Sequence, residues 1–281
     1  MSTATANAAA VDVSSLPSLD SEYPISAEQA RSYQEKGHIV LRGVCSPSEI
    51  AAYQHVINAA ADRYNVEKRP LEERDTYGKA FLQIMNLWVK DEAVRRYTLA
   101  RRFAKIAADL MGVGGVRIYH DQALFKEPGG GPTPWHQDQH YWPLDTNDTI
   151  TLWMPLVDIA PEVGSMRFAS GSNRQGYLGD LAISDKSETF FEDYIKERGF
   201  PVENYGAMKA GDATFHSGWT LHSAPNNPTK TMREVMTVIY FADGTRCATP
   251  DNANRADDLK NWLPGCKPGD LAASELNPKA Y

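Results

Sequence analysis

The sequence predicts a mainly β fold, a sandwich or barrel, with helices packed on one outer face. Three observations predict it. Helical patterns fill the first third of the chain. From Val116 onward, strand-length apolar or alternating runs follow one another, separated by Gly, Pro and Asn. A single amphipathic helix interrupts these runs. Helices first and strands after suggest one β core with helices on its outside.

In chain order, residues 1–20 read as a mobile tail, and residues 21–281 as a single domain. "ISAEQARSYQEKG" places Ser26 three residues before Gln29, a capping-box pattern, and ends at Gly37. "HIVLRGV" reads as a short strand. "CSPSEIAAYQHVINAAADRY" opens a second helix with Ser46 as cap, Pro47 at the first helical position and Glu49 closing the box. A third helix is expected from about Asp91 to Met111, stopped by Gly112. The β core is expected over about 115–243. Its runs are "VRIYHDQALFKEP", "TITLWMPLVDI", "GSMRFAS", "DATFHSGWTLHS" and "REVMTVIYFAD". The helical insert covers about 185–198, with Phe190, Phe191, Tyr194 and Ile195 at helical spacing and Gly199 as its stop.

Composition excludes several function classes. Hydrophobic residues make up 42% and charged residues 23%, as in an ordinary globular protein. A net charge of -7 argues against nucleic acid, which wants a basic face. No apolar run approaches the roughly 18 residues of a membrane span. The start, "MSTATANAAAVDVSS", has neither the basic segment nor the apolar core of a signal peptide. Cys45, Cys247 and Cys266 are odd in number and widely spaced, so neither a disulfide framework nor a CxxC metal site is expected. The expected setting is the cytoplasm, and the expected state is a monomer or homodimer.

The chemistry concentrates in "PWHQDQHYWP", residues 134–143. On a strand, side chains two apart share a face, so His136 and Asp138 reach one ion. Imidazole and carboxylate suit Fe(II), Mn(II) or Zn(II). The pair alone is a weak signal, because it recurs by chance. The chain has seven histidines from which to draw a third ligand. His38 and His55 sit in the helical region, and His120 sits mid-strand. "FHSGWTLHS" holds His216 and His222. Read as one strand, it puts His216 roughly 20 Å from His222, at ~3.3 Å per residue. The short connection "SAPNNPTK" keeps His222 at the same end as Arg233, a lone cation at the start of an apolar run. Such a cation is costly unless it meets an anion, and arginine grips carboxylates bidentately. Two histidines and a carboxylate make a facial triad with open positions for a 2-oxo acid, and the nearby arginine would take that acid's far carboxylate.

With these parts in place, the chain resembles the phytanoyl-CoA dioxygenase (PhyH) family of Fe(II)/2-oxoglutarate oxygenases. The resemblance rests on "WHQD", on "GDATFHSGWTLHSAPNN" with Arg233 eleven residues after His222, and on "LWMPLVDIAPEVGSMRFASGSN". It implies a double-stranded β-helix (jelly-roll) core buttressed by the N-terminal helices. It implies Fe(2+) on His136, Asp138 and His222, 2-oxoglutarate on Arg233, and O2 as oxidant. Trp153 and Gln83 fall where the family places further cosubstrate contacts. The family's Ser two residues after the distal histidine is Ala224 here. Asp138 is intact, so hydroxylation or a related oxidation is expected rather than halogenation.

His140, Tyr141 and Trp142 are candidate pocket walls, and Arg246 is a candidate for an anionic substrate group. The insert helix reads either as a lid or as packing. A small-molecule metabolite or secondary-metabolite intermediate is the expected partner. No Lys/Arg cluster marks a CoA site, so acyl-CoA hydroxylation ranks below a small metabolite. Two rivals come from outside this chemistry: a cupin-type metalloenzyme without 2-oxoglutarate, and a non-catalytic sandwich. Arg233 argues against the first, and the three ligand positions together with Arg233 argue against the second.

Overall fold

Ten strands, arranged in two antiparallel sheets, build the core of the computed structural model, which describes residues 12–281. The strands are β1 (His38–Leu41), β2 (Leu82–Met85), β3 (Val116–Phe125), β4 (Thr133–His136) and β5 (Thr149–Pro155). After them come β6 (Arg167–Ala169), β7 (Val202–Asn204), β8 (Ala213–Ser217), β9 (His222–Ala224) and β10 (Val235–Ala242). One sheet runs β1-β8-β5-β10-β3-β2 and the other β4-β9-β6-β7. This is the expected jelly roll. The candidate site lies between the sheets.

The helices are α1 (Ala27–Lys36), α2 (Pro47–Tyr64), α3 (Thr76–Ala80), α4 (Leu87–Lys90), α5 (Glu92–Thr98), α6 (Arg101–Met111), α7 (Asp185–Arg198) and α8 (Ala253–Trp262). Both predicted capping boxes form, Ser26 with Gln29 and Ser46 with Glu49. α2 and α6 bury Ile50, Tyr53, Phe103 and Ile106 in one core with Leu152, Met154 and Val238 of the large sheet. That cover explains why β5 is buried along its whole length and reads as a continuous apolar run.

Three expectations need correction. The stretch from Asp91 to Met111 is two helices, because Ala100 is extended (φ -58°, ψ 122°). The break lets Arg102 reach the Ser21 and Val44 carbonyls and the Glu49 carboxylate. The described part of the expected tail, residues 12–20, packs on the domain. Residues 1–11 lie outside the described residues, but Leu16 and Leu19 are buried and the Leu19 carbonyl accepts the Arg102 amide.

"DATFHSGWTLHS" is not one strand. It is β8 and β9, which belong to different sheets. The corner between them turns at Gly218, where the Thr220 amide bonds the Ser217 carbonyl and the Thr220 hydroxyl bonds the Gly37 carbonyl. Beyond the β core, residues after 243 form α8 and a tail that returns to β3. There the Val116 amide donates to the Tyr281 carbonyl and the Ile118 amide to the Pro278 carbonyl.

Candidate metal and cosubstrate site

His136 ends β4 and lies directly opposite His222 on β9, so ladder pairing alone brings the two imidazoles together. Their ring centroids are 4.1 Å apart. Each ring is oriented from behind. His136 Nδ1 donates to the Pro134 carbonyl at 2.7 Å, and His222 Nδ1 to the Thr220 carbonyl at 2.9 Å. A carbonyl can only accept, so both Nδ1 atoms carry the proton and both Nε2 lone pairs are free to bind an ion.

Asp138 is not on the strand. It opens a single 3-10 turn, Asp138–His140, while buried Gln137 anchors the chain by donating to the carbonyls of Gly176 and Trp219. Asp138 Oδ1 sits 3.5 Å from His136 Nε2 and 3.6 Å from His222 Nε2. Ligands at about 2 Å from one ion and at right angles stand ~3 Å apart, so this set fits a first-row divalent cation. One donor atom from each of the three residues lies within 4.8 Å of the others.

Asp138 Oδ2 is held by the Thr151 hydroxyl at 2.9 Å and by His216 Nε2 at 3.2 Å. Burial opposes ionisation of Asp138, but its histidine neighbours, led by His222, hold the carboxyl well below its ordinary range. Burial, followed by the neighbouring His136 and His216, pushes His222 well below its ordinary value. An ionised carboxylate beside a neutral imidazole is the state a metal requires.

Arg233 lies at the entrance to β10 and exchanges two backbone hydrogen bonds with Lys126. It is 2% exposed, so its charge is almost wholly desolvated. Its guanidinium carbon is 5.4 Å from the centroid of the Trp153 ring. Nη1 donates to the Gly164 carbonyl, whereas buried Nε has no partner. Burial pushes Arg233 down to about 9, which leaves it protonated at neutral pH. An orphaned donor on a buried cation, in the same cavity as the histidine–carboxylate cluster, suits a carboxylate ligand such as that of 2-oxoglutarate.

The cavity measures about 280 Å³. Gln83, Tyr141, Trp142 and Trp153 line it with the metal cluster and Arg233. Gln83 bonds the Tyr77 hydroxyl and Gln122, so both ends of its amide are already engaged. His140 and Arg246 are not cavity residues. His140 is the last residue of the 3-10 turn, in which positions i and i+3 eclipse. Asp138 therefore shares its side with Tyr141, while His140 turns out toward Asn254 at 3.1 Å. Arg246 is exposed and donates to the Gly269 carbonyl. α7 packs Phe191 and Ile195 against Trp135 and Leu221 and lends no residue to the cavity; Ile183, just before it, does.

Several cavity residues escape a strand-by-strand reading. His216 arrives through the β8–β9 corner, for which Gly218 inside an apolar run is the available signal. His120, Asp258, Asn261 and Trp262 also line the cavity. The last three come from α8, whose N-cap Asn252 was a legible start.

Comparison with known proteins agrees with this geometry. The model of the phytanoyl-CoA dioxygenase (PhyH) family matches residues 33–235. A probable alpha-ketoglutarate-dependent hypophosphite dioxygenase of Stutzerimonas stutzeri is 25% identical over 233 residues, 77% of this chain and 78% of the relative. Among solved structures, the non-heme alpha-ketoglutarate-dependent carbocyclase SnoK from nogalamycin biosynthesis superposes with TM-score 0.74 at 24% identity, covering 91% of this chain and 96% of that one. The epimerase SnoN, in complex with Fe3+, alpha-ketoglutarate and nogalamycin RO, gives TM-score 0.71 at 24% identity, with 90% and 97% covered. The chain belongs to the phytanoyl-CoA dioxygenase (PhyH) family of Fe(II)- and 2-oxoglutarate-dependent oxygenases.

Proposed function

We propose that this protein is a non-haem Fe(II)- and 2-oxoglutarate-dependent dioxygenase that oxidises an unactivated C–H bond of a small-molecule metabolite. The observation that carries the reading is one cavity holding two free Nε2 lone pairs, one ionised carboxylate and a buried arginine with an unused donor.

His136, Asp138 and His222 hold the iron. Arg233 grips the far carboxylate of 2-oxoglutarate, and the Trp153 ring lies beside its guanidinium. Bound iron with 2-oxoglutarate supplies the oxidising power, consuming O2 and releasing succinate and CO2 as substrate is hydroxylated or otherwise oxidised. The chain does the rest. Thr151 and His216 fix Asp138 through Oδ2, which leaves Oδ1 as the metal-facing oxygen. Tyr141 and Trp142 wall the substrate side and exclude water.

Arg233 favours this reading over a metalloenzyme that does not use 2-oxoglutarate. The absence of any further Lys or Arg from the described cavity wall favours a small metabolite over an acyl-CoA. Among the described residues, no helix is long and apolar enough to cross a membrane. We place the protein in the cytoplasm, as a monomer or homodimer; three free cysteines suit a reducing compartment.

The test is a substrate screen under Fe(II), 2-oxoglutarate and O2 with succinate as readout. Substrate-stimulated succinate is expected. The reading fails if no candidate stimulates succinate and Mn(II)-loaded protein shows no heat on titration with 2-oxoglutarate.

A further inference from the structure

The cavity holds a second carboxyl. Asp258 projects from α8 into the cavity wall and lies outside the His136–Asp138–His222 cluster. Its Oδ2 accepts the Tyr119 hydroxyl at 2.8 Å. No Lys or Arg among the described residues forms an ion pair with it. Arg255, on the same helix, is engaged elsewhere, with Asp251 and the carbonyls of Gln139 and His140.

Half-buried and without an ion-pair partner, this carboxylate gains from a cationic ligand. Burial pushes Asp258 up to about 7, against the opposing hydrogen bonds of Tyr119 and Trp262. Asp138 of the metal cluster and Asp258 line one cavity, and Tyr77 and Tyr141 line it with them. That space is walled by aromatic rings, with Phe81, Trp142 and Trp262 beside the two tyrosines. Ring faces attract cations.

The charge inventory points the same way. Arg233 is the one Lys or Arg on the described cavity wall, and in the oxygenase reading 2-oxoglutarate occupies it. Lys126 stands beside it but gives its Nζ to the Gly131 carbonyl and the Thr133 hydroxyl. An anionic substrate group finds no partner here and meets a carboxylate instead.

We propose that Asp258 is a substrate-recognition residue and that the substrate is an organic cation, a protonated amine or amidine on an apolar frame. The inference uses the cavity of the oxygenase reading and adds a substrate class to it.

Tryptamine, tryptophol and indole-3-propionate share one frame and differ only in a cationic, neutral or anionic end. Each is titrated by calorimetry into the full chain loaded with Mn(II), with and without 2-oxoglutarate. Tryptamine is expected to bind at least about tenfold more tightly than either analogue, the weight of one charge-assisted hydrogen bond. In Asp258→Asn, which keeps an acceptor for Tyr119, that preference is expected to vanish. Equal or tighter binding of tryptophol or indole-3-propionate overturns the proposal, as does an unchanged preference in Asp258→Asn. In Tyr119→Phe the carboxylate remains, and the preference is expected to survive. The head-group order in the unmodified protein decides the matter even where the Asn variant fails to fold. Failure of 2-oxoglutarate itself to bind counts against the oxygenase reading and leaves the head-group order readable with Mn(II) alone.

Discussion

His216 Nε2 lies 3.2 Å from Asp138 Oδ2, although the two residues are 78 positions apart. Strand arithmetic puts His216 far from the metal end, but the corner at Gly218 folds it back onto the second oxygen of the carboxylate. In the proposed site His216 would act on the ion through Asp138. His216→Leu is expected to weaken Mn(II) affinity about 10- to 100-fold, as loss of a ligand-orienting partner does. Calorimetric titration of the metal checks this, and wild-type affinity in the variant contradicts it.

Loss of a direct ligand should cost more. His136→Ala and His222→Ala each remove one Nε2 donor from a three-residue set. Metal affinity is expected to fall by more than the ~100-fold upper range given for an orienting partner, with 2-oxoglutarate turnover lost. An His136→Ala protein that binds iron like wild type sinks the assignment.

Arg233 and Trp153 are the cosubstrate end of the proposed site. Arg233→Gln keeps a donor but removes the charge and the fork. Affinity for 2-oxoglutarate in the Mn(II) protein is expected to drop about tenfold to a hundredfold, with metal affinity unchanged. A loss of both together points to a collapsed site instead.

Lys126 gives a pH signature. Burial, followed by the charge of Arg233 beside it, pushes Lys126 down to about 6 from an ordinary 10.5. Between those values the unfolded chain holds a proton that the folded chain has given up. Stability contributed by this group therefore rises with pH across that window, by about 1.4 kcal/mol per pH unit, and is lowest below pH 6. Lys126→Met is expected to flatten the rise of unfolding free energy between pH 6 and 10. Denaturant titrations across that range measure it, and an unchanged slope refutes the buried neutral amine.

Gly218 is a packing prediction. A Cβ there overlaps the Thr149 hydroxyl outright and meets Gln139 and Trp142 at 2.7 Å. Gly218→Ala is expected to cost about 1–3 kcal/mol, as overpacking does. It should also loosen the metal site, because the same corner sets His216 and His222. Thermal unfolding and Mn(II) titration of the variant test both halves.

Much of this protein follows from residues read in order. Capping is local: Ser26 with Gln29 and Ser46 with Glu49 act across three positions, and the helices start where those pairs stand. The residues that meet as a metal cluster were legible for another reason. Few side chains can bind a first-row cation, and His136, Asp138 and His222 supply that chemistry, with Arg233 as the anion partner, at a spacing the family resemblance makes specific.

Tertiary structure decided which side chains face the cavity. Strand parity groups His140 with His136 and Asp138, but a 3-10 turn exchanges that period for three, so Tyr141 enters and His140 leaves. The same kind of change brings in His216 through a corner between sheets, and Asp258 and Trp262 from a helix beyond the β core. Period and capping act over a few residues. Which face meets which cavity depends on sheet pairing and on corners closed by distant partners, such as the Gly37 carbonyl that holds Thr220. Those partners stand too far along the chain for any local pattern to name them.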